Sequence, residues 1–325
     1  MKLKRLIGAA SMAAVLGTTV WADEIKFANF TPPFHTINAS VIEKMNEMLS
    51  GATGGEVTVR GYHGGELGAG PVEQYVRVVQ GVADVAWGLP GYTSSQFDDT
   101  MIVELPNAIP LDAPGWAAIW AAYEDHLADE FPGTVPVALW TSEPNIFIMK
   151  DREVRSPADV AGLKIRVAGA TAAKVVEALG GTPVQMPINQ VYNSLQTGLI
   201  DGVITGSSTL NDFKLDEVAN SYTLGANLGR LSFFAVMNQS AYDGLSDAAK
   251  AALDPAALSK SAEDAWNATS DDGLAKARAT GDNTFIDLNA DEAEAFAAAV
   301  ADVVNAYVAE VDGAAALEAM RGAVN

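Results

Sequence analysis

The stretch Gly162–Gly206, GLKIRVAGATAAKVVEALGGTPVQMPINQVYNSLQTGLIDGVITG, decides the fold. Leu163–Val167 reads as a short apolar strand with one arginine, Arg166, near its carboxyl end. A glycine and a helix-forming run follow, then a strand over Thr182–Met186, a second helix, and a strand over Ile200–Thr205. That βαβαβ alternation predicts a sheet with helices on its faces. Open α/β sheets take ligands off the carboxyl ends of their strands. An arginine placed there is a two-pronged anion receptor, the alternative being an ion pair with one of the chain's own carboxylates.

Toward the amino end the same alternation recurs. Glu24–Asn29, Val57–Tyr62, Val82–Trp87 and Val135–Trp140 read as strands. Helical patterns cover Thr36–Leu49, Val72–Gln80 and Trp116–Phe131, so a largely parallel sheet is expected here too. A second unit begins near Glu143–Pro144. Past Gly206, the loop Thr223–Arg230 leads into a strand at Leu231–Asn238, a last strand lies at Phe285–Leu288, and Asp291–Met320 is alanine-rich helix. Asp254 as cap and Pro255 at the first position start a helix running to about Thr280. At 1.5 Å per residue it is roughly 37 Å long, enough to lie across two units. The absence of a linker implies that the chain crosses between them more than once.

Lys2, Lys4 and Arg5 precede an apolar run from Leu6 to Val20, and Val20-Trp21-Ala22 fits a cleavage site before Asp23. A secretory signal over residues 1–22 is therefore expected, leaving 325 − 22 = 303 residues in an exported chain. The run is shorter than the ~20 residues a spanning helix needs, which disfavours a membrane anchor. The 41 acidic and 20 basic side chains give −21, or −24 once the three basic signal residues are gone. Such a surface repels nucleic acid and anionic lipid. With 49% apolar residues, the chain still has enough to build cores. No cysteine is present, so disulfides and thiolate chemistry are excluded. His35, His63 and His126 lack metal-ligand spacing, and there is no HExxH or GxSxG.

Several ordered motifs resemble one family. His35 opens the first helix, Gly65-Glu-Leu-Gly68 precedes the second, and Gln80-Gly-Val-Ala-Asp84 closes it. Gly162-Leu-Lys-Ile-Arg166, Pro187-Ile-Asn-Gln-Val-Tyr192 and Leu195-Gln196-Thr-Gly198-Leu-Ile-Asp201-Gly202 follow with compatible spacing. Together they resemble the DctP-like substrate-binding proteins of tripartite ATP-independent periplasmic (TRAP) transporters. The resemblance implies an α/β, two-lobed periplasmic-binding-protein fold with hinge strands and a long helix spanning both lobes. Lobe I would comprise 23–143 and about 230–268, and lobe II 144–229 and about 269–325. It implies a periplasmic receptor that captures a small organic acid in the interlobe cleft and delivers it to integral membrane subunits. No catalytic residue, cofactor or metal is implied, and a monomer is expected.

By the same resemblance Arg166 pairs with a ligand carboxylate. Asn29, Trp87, Tyr92, Asn145, Phe147, Gly169, Thr205 and Phe213 are further candidate ligand contacts, with core packing the alternative for Trp87. The sequence departs from many acid-binding members in having neutral Asn145-Ile146-Phe147 where a second arginine is common. Val203-Ile204 and Leu89-Pro90 are apolar as well. A smaller or more apolar ligand is expected: a monocarboxylate, or an aromatic or branched acid. A small zwitterion or amino alcohol remains an alternative. So do a binding protein serving an ABC transporter or a sensor, and a secreted enzyme on a related scaffold.

Overall fold

The computed structural model of the chain describes residues 23–324, so the expected signal segment lies outside the described residues. The strands are, in chain order, β1 Asp23–Ala28, β2 Val57–Tyr62, β3 Val85–Gly88, β4 Thr134–Thr141, β5 Ile146–Met149, β6 Lys164–Val167, β7 Thr182–Gln185, β8 Gly202–Thr205, β9 Ser221–Leu224, β10 Ser232–Asn238 and β11 Thr284–Asp287. They form two sheets, ordered β2-β1-β3-β10-β4 and β11-β9-β5-β8-β6-β7. The opening βαβαβ segment supplies β6, β7 and β8, with β6 parallel to both neighbours.

Each sheet is mixed rather than parallel throughout. β10 runs antiparallel to β3 and β4, and β5 antiparallel to β8 and β9. These are the first strands laid down after each crossing, so they enter their sheets from the opposite end. The crossings are Ser142–Asn145 and Gly225–Leu231, which lie side by side. Ser142 N donates to Leu231 O at 2.8 Å, and Asn145 N to Gly229 O at 2.8 Å. Gly229 has φ 76°, and a Cβ there would stand 1.9 Å from Glu104 O, so this position of the hinge admits only glycine.

The helix Pro255–Ala279 starts as expected: the Asp254 carboxylate accepts from Ala257 N at 3.0 Å and Pro255 takes the first turn. Ser259 and Glu263 fasten its first half to the first sheet. Leu139 N donates to Ser259 Oγ (2.9 Å), while Trp116 N (2.9 Å) and Thr141 N (3.1 Å) donate to Glu263 Oε2. Its second half belongs to the other unit, where Gly273 packs on Ser207 and Leu210 and Ser270 bonds Ser207 at 2.6 Å.

The alanine-rich tail is three helices, Ala290–Ala299, Ala301–Glu310 and Ala314–Gly322, broken near Val300 and at Asp312, whose φ is 55°. The last of them departs from its expected place in lobe II. It packs on Gly115–Ala122 of the first unit, with Arg321 donating to Ala108 O and Asn107 O. Its buried Ala316 and Met320 join the core beside Ile119 and Ala122. Apolar burial, not chain order, assigns this helix its side.

Candidate ligand-binding site

Between the sheets lies a cavity with about 430 Å³ of empty space, mouth included. The first unit contributes Phe30, His35, Trp87, Leu89, Tyr92 and Phe233, with Trp266 from the long helix. The second contributes Arg166, Ile188, Thr205, Ser208, Asp212 and Phe213. The wall is largely aromatic. Phe30, just past β1, stacks on Trp87 at the end of β3, with centroids 4.5 Å apart and planes 20° apart. Trp266 meets Trp87 edge-on at 6.0 Å and packs against Phe233 at a tilt, 5.4 Å away.

Arg166 is 1% exposed. Its Nε donates to Met186 O at 2.9 Å, and Nη2 has no partner among the described residues. Its guanidinium sits beside the Tyr92 hydroxyl, and among the described residues no carboxylate stands within 4 Å of it. Burial draws its proton affinity below the usual arginine value. An unpaired buried guanidinium is costly and calls for an anion. Thr205 Oγ1, at the end of the neighbouring strand, is likewise buried and without a partner among the described residues. Two orphaned polar groups thus share one cavity.

A second polar pair lines the cavity. Ile37 N donates to His35 Nδ1 at 3.1 Å, and Thr36 N to Asp212 Oδ1 at 3.3 Å. Asp212 Oδ2 lies 3.5 Å from His35 Nε2. Burial lowers the His35 pKa to about 3 and raises that of Asp212 to about 6. The ring is therefore neutral at ordinary pH. Glu143 stands close behind Asp212, accepts from Ser208 N at 2.6 Å, and is pushed up to about 7 by burial. Among the described residues no group of three or more His, Asp or Glu side chains is placed to hold a metal.

The rims of the cleft meet. Ala170 N donates to Ser94 Oγ (3.3 Å), Gln185 Nε2 to Gly91 O (3.2 Å), and Ile188 N to the Tyr92 hydroxyl (3.0 Å). Glu104, fully buried, joins both units by accepting from Thr171 Oγ1 and Ser232 Oγ.

Of the residues singled out in the sequence, Arg166, Trp87, Tyr92, Thr205 and Phe213 line the cavity together. The other four do not line it. Asn29 is spent on scaffolding: its Oδ1 accepts from Trp87 Nε1 (2.9 Å) and Thr31, so it holds the indole rather than lining the cavity. Phe147 points to the opposite face of β5, against Phe296 at 5.9 Å, because strand side chains alternate. Asn145 is buried in the hinge, its Nδ2 facing Leu228 O. Gly169 caps the helix Ala170–Ala178 and abuts Gly91 across the rim. Sequence reading missed Phe30, Phe233, Trp266 and Asp212. Trp266 and Asp212 sit on helices, where an aromatic or acid carries no strand-end signal.

Residues 27–310 match the family described as bacterial extracellular solute-binding protein, family 7. The chain belongs to this family. A C4-dicarboxylate-binding periplasmic protein of Rhodobacter capsulatus is 25% identical, covering 99% of this chain and 97% of its own length. A TRAP solute-binding protein from a marine metagenome, specific for aromatic acid ligands and in complex with metahydroxyphenylacetate, is 26% identical. It superposes with a TM-score of 0.86 over 92% of this chain and 98% of that one. Another, from Rhodoferax ferrireducens T118 with copurified benzoate, gives 0.83 at 26% identity, covering 92% and 96%. These solute-binding proteins share the two-lobed α/β fold described above.

Proposed function

We propose that the chain is the periplasmic receptor of a TRAP transporter and that its solute is a small monocarboxylic acid with an aromatic or branched apolar body. The solute's carboxylate takes Arg166 Nη2 and Thr205 Oγ1, and Trp87, Phe30, Phe213 and Trp266 hold the body. The lobes, 23–143 with about 230–268 against 144–229 with about 269–313, close over it. The closed form then hands the solute unchanged to a pair of integral membrane subunits.

The observation that carries this reading is the partnerless Nη2 of a buried arginine inside an aromatic cavity. A second carboxylate on the ligand would face Asp212, with no second arginine or lysine among the described residues lining the cavity, which disfavours dicarboxylates. The marine and Rhodoferax relatives with aromatic acids favour the same class. Calorimetric titration of the mature chain with benzoate, phenylacetate, succinate and glucuronate tests it. The two aromatic acids are expected to bind at least ~10-fold tighter than the others. Arg166→Ala should weaken them at least ~100-fold, since a buried charged hydrogen bond is lost. Tighter binding of succinate or glucuronate, or an unchanged Kd in Arg166→Ala, overturns the reading.

A further inference from the structure

His35 and Asp212 come from opposite units and face the same cavity, yet they share no hydrogen-bond partner with Arg166. Because Ile37 N occupies Nδ1, the proton of the neutral His35 ring sits on Nε2. Nε2 and Asp212 Oδ2 are 3.5 Å apart, beyond the 2.7–3.2 Å of a sound N–H···O bond. A donor and an acceptor therefore stand side by side, each incompletely engaged.

Resting on the carboxylate reading above, we propose that His35 and Asp212 form a hydroxyl-binding subsite, so that the solute is a hydroxy-substituted aromatic or branched monocarboxylic acid. A hydroxyl accepts from His35 Nε2–H and donates to Asp212 Oδ2 at once. An ammonium has donors only. It would satisfy Asp212 but set its N–H groups against the His35 N–H. A bare C–H edge leaves both protein groups unmet, at the cost of desolvating them for nothing. The aromatic wall holds the ring between the two poles, and the tautomer fixed by Ile37 sets the sense of the second one.

Calorimetry on the mature chain, freed of copurified solute, decides this with benzoate, phenylacetate, their 3- and 4-hydroxy derivatives, and 3-(aminomethyl)benzoate. A hydroxy acid is expected to bind at least ~10-fold tighter than its parent, the worth of a hydrogen bond to a charged group. Asp212→Ala should cut that preference below ~3-fold. Asp212→Asn, which retains a carbonyl acceptor and the same shape, should keep part of it, and decides the matter if the alanine variant does not fold. A parent or the aminomethyl acid binding as tightly as the hydroxy acids, or a preference that survives both substitutions, overturns the subsite. If the parents bind without a hydroxyl preference, only the subsite falls; if no carboxylate binds, the carboxylate reading falls with it.

Discussion

Gly169 has an extended backbone that any residue adopts, so space alone makes it glycine. A Cβ there would stand 2.6 Å from Gly91 Cα on the opposite rim. Gly169→Val is therefore expected to leave the ligand-free melting temperature within ~2 °C while weakening ligand binding at least ~10-fold, because only the closed form suffers the clash. Small-angle scattering should lose the compaction on ligand addition; wild-type affinity in this variant would contradict the account. Glu143 makes a different demand. Burial raises its pKa from 4.5 to about 7, so between those values the folded chain keeps a proton that the unfolded chain has released. Its contribution to stability then falls as pH rises through that window, and the full cost is present above it. Glu143→Gln should flatten the melting temperature against pH between 4.5 and 7 and gain most at pH 8. His35 acts in the opposite sense, its stability contribution declining as pH drops from 6.5 toward about 3, because the buried ring stays neutral.

Among the elements, the long helix does the most joining. Glu263 satisfies Trp116 N, Thr141 N and Thr141 Oγ1 from one carboxylate. Glu263→Ala strands these donors in a buried place and is expected to cost about 2–4 kcal/mol, read from urea unfolding. The start of this helix was legible, since Asp254 and Pro255 are local signals that tertiary context does not override. So were β6, β7 and β8, where apolar runs alternate with helical ones, and with them Arg166 and Thr205 at strand ends. β5 and β9 were not. Ile146–Met149 and Ser221–Leu224 are only four residues each, and both lie against the crossings, where turn and strand signals blur. Phe147 shows the finer limit: one step along a strand reverses the face, and sequence alone does not give the register. His35 and Asp212 meet across 177 positions, a juxtaposition that tertiary folding creates and no local pattern encodes.

For the molecule as a whole, acidity sets the response to salt. Residues 23–325 carry a formal charge of −24, the −21 of the full chain less the three basic residues Lys2, Lys4 and Arg5, which pushes the folded surface apart. Screening this repulsion should raise the melting temperature by several degrees between 10 mM and 1 M NaCl, where the Debye length falls from about 30 Å to about 3 Å. A flat or falling curve would mean that the acids are locally compensated. The return of Ala314–Gly322 to the first unit has a practical sequel. β1, the first described strand, and this last described helix belong to the same half of the molecule. Fluorophores attached at Asp23 and Gly322 would ride together on one half and stay silent during the lobe closure proposed above. An optical reporter of solute capture needs one dye inside the chain, at an exposed site such as Leu199, 58% accessible on the other half.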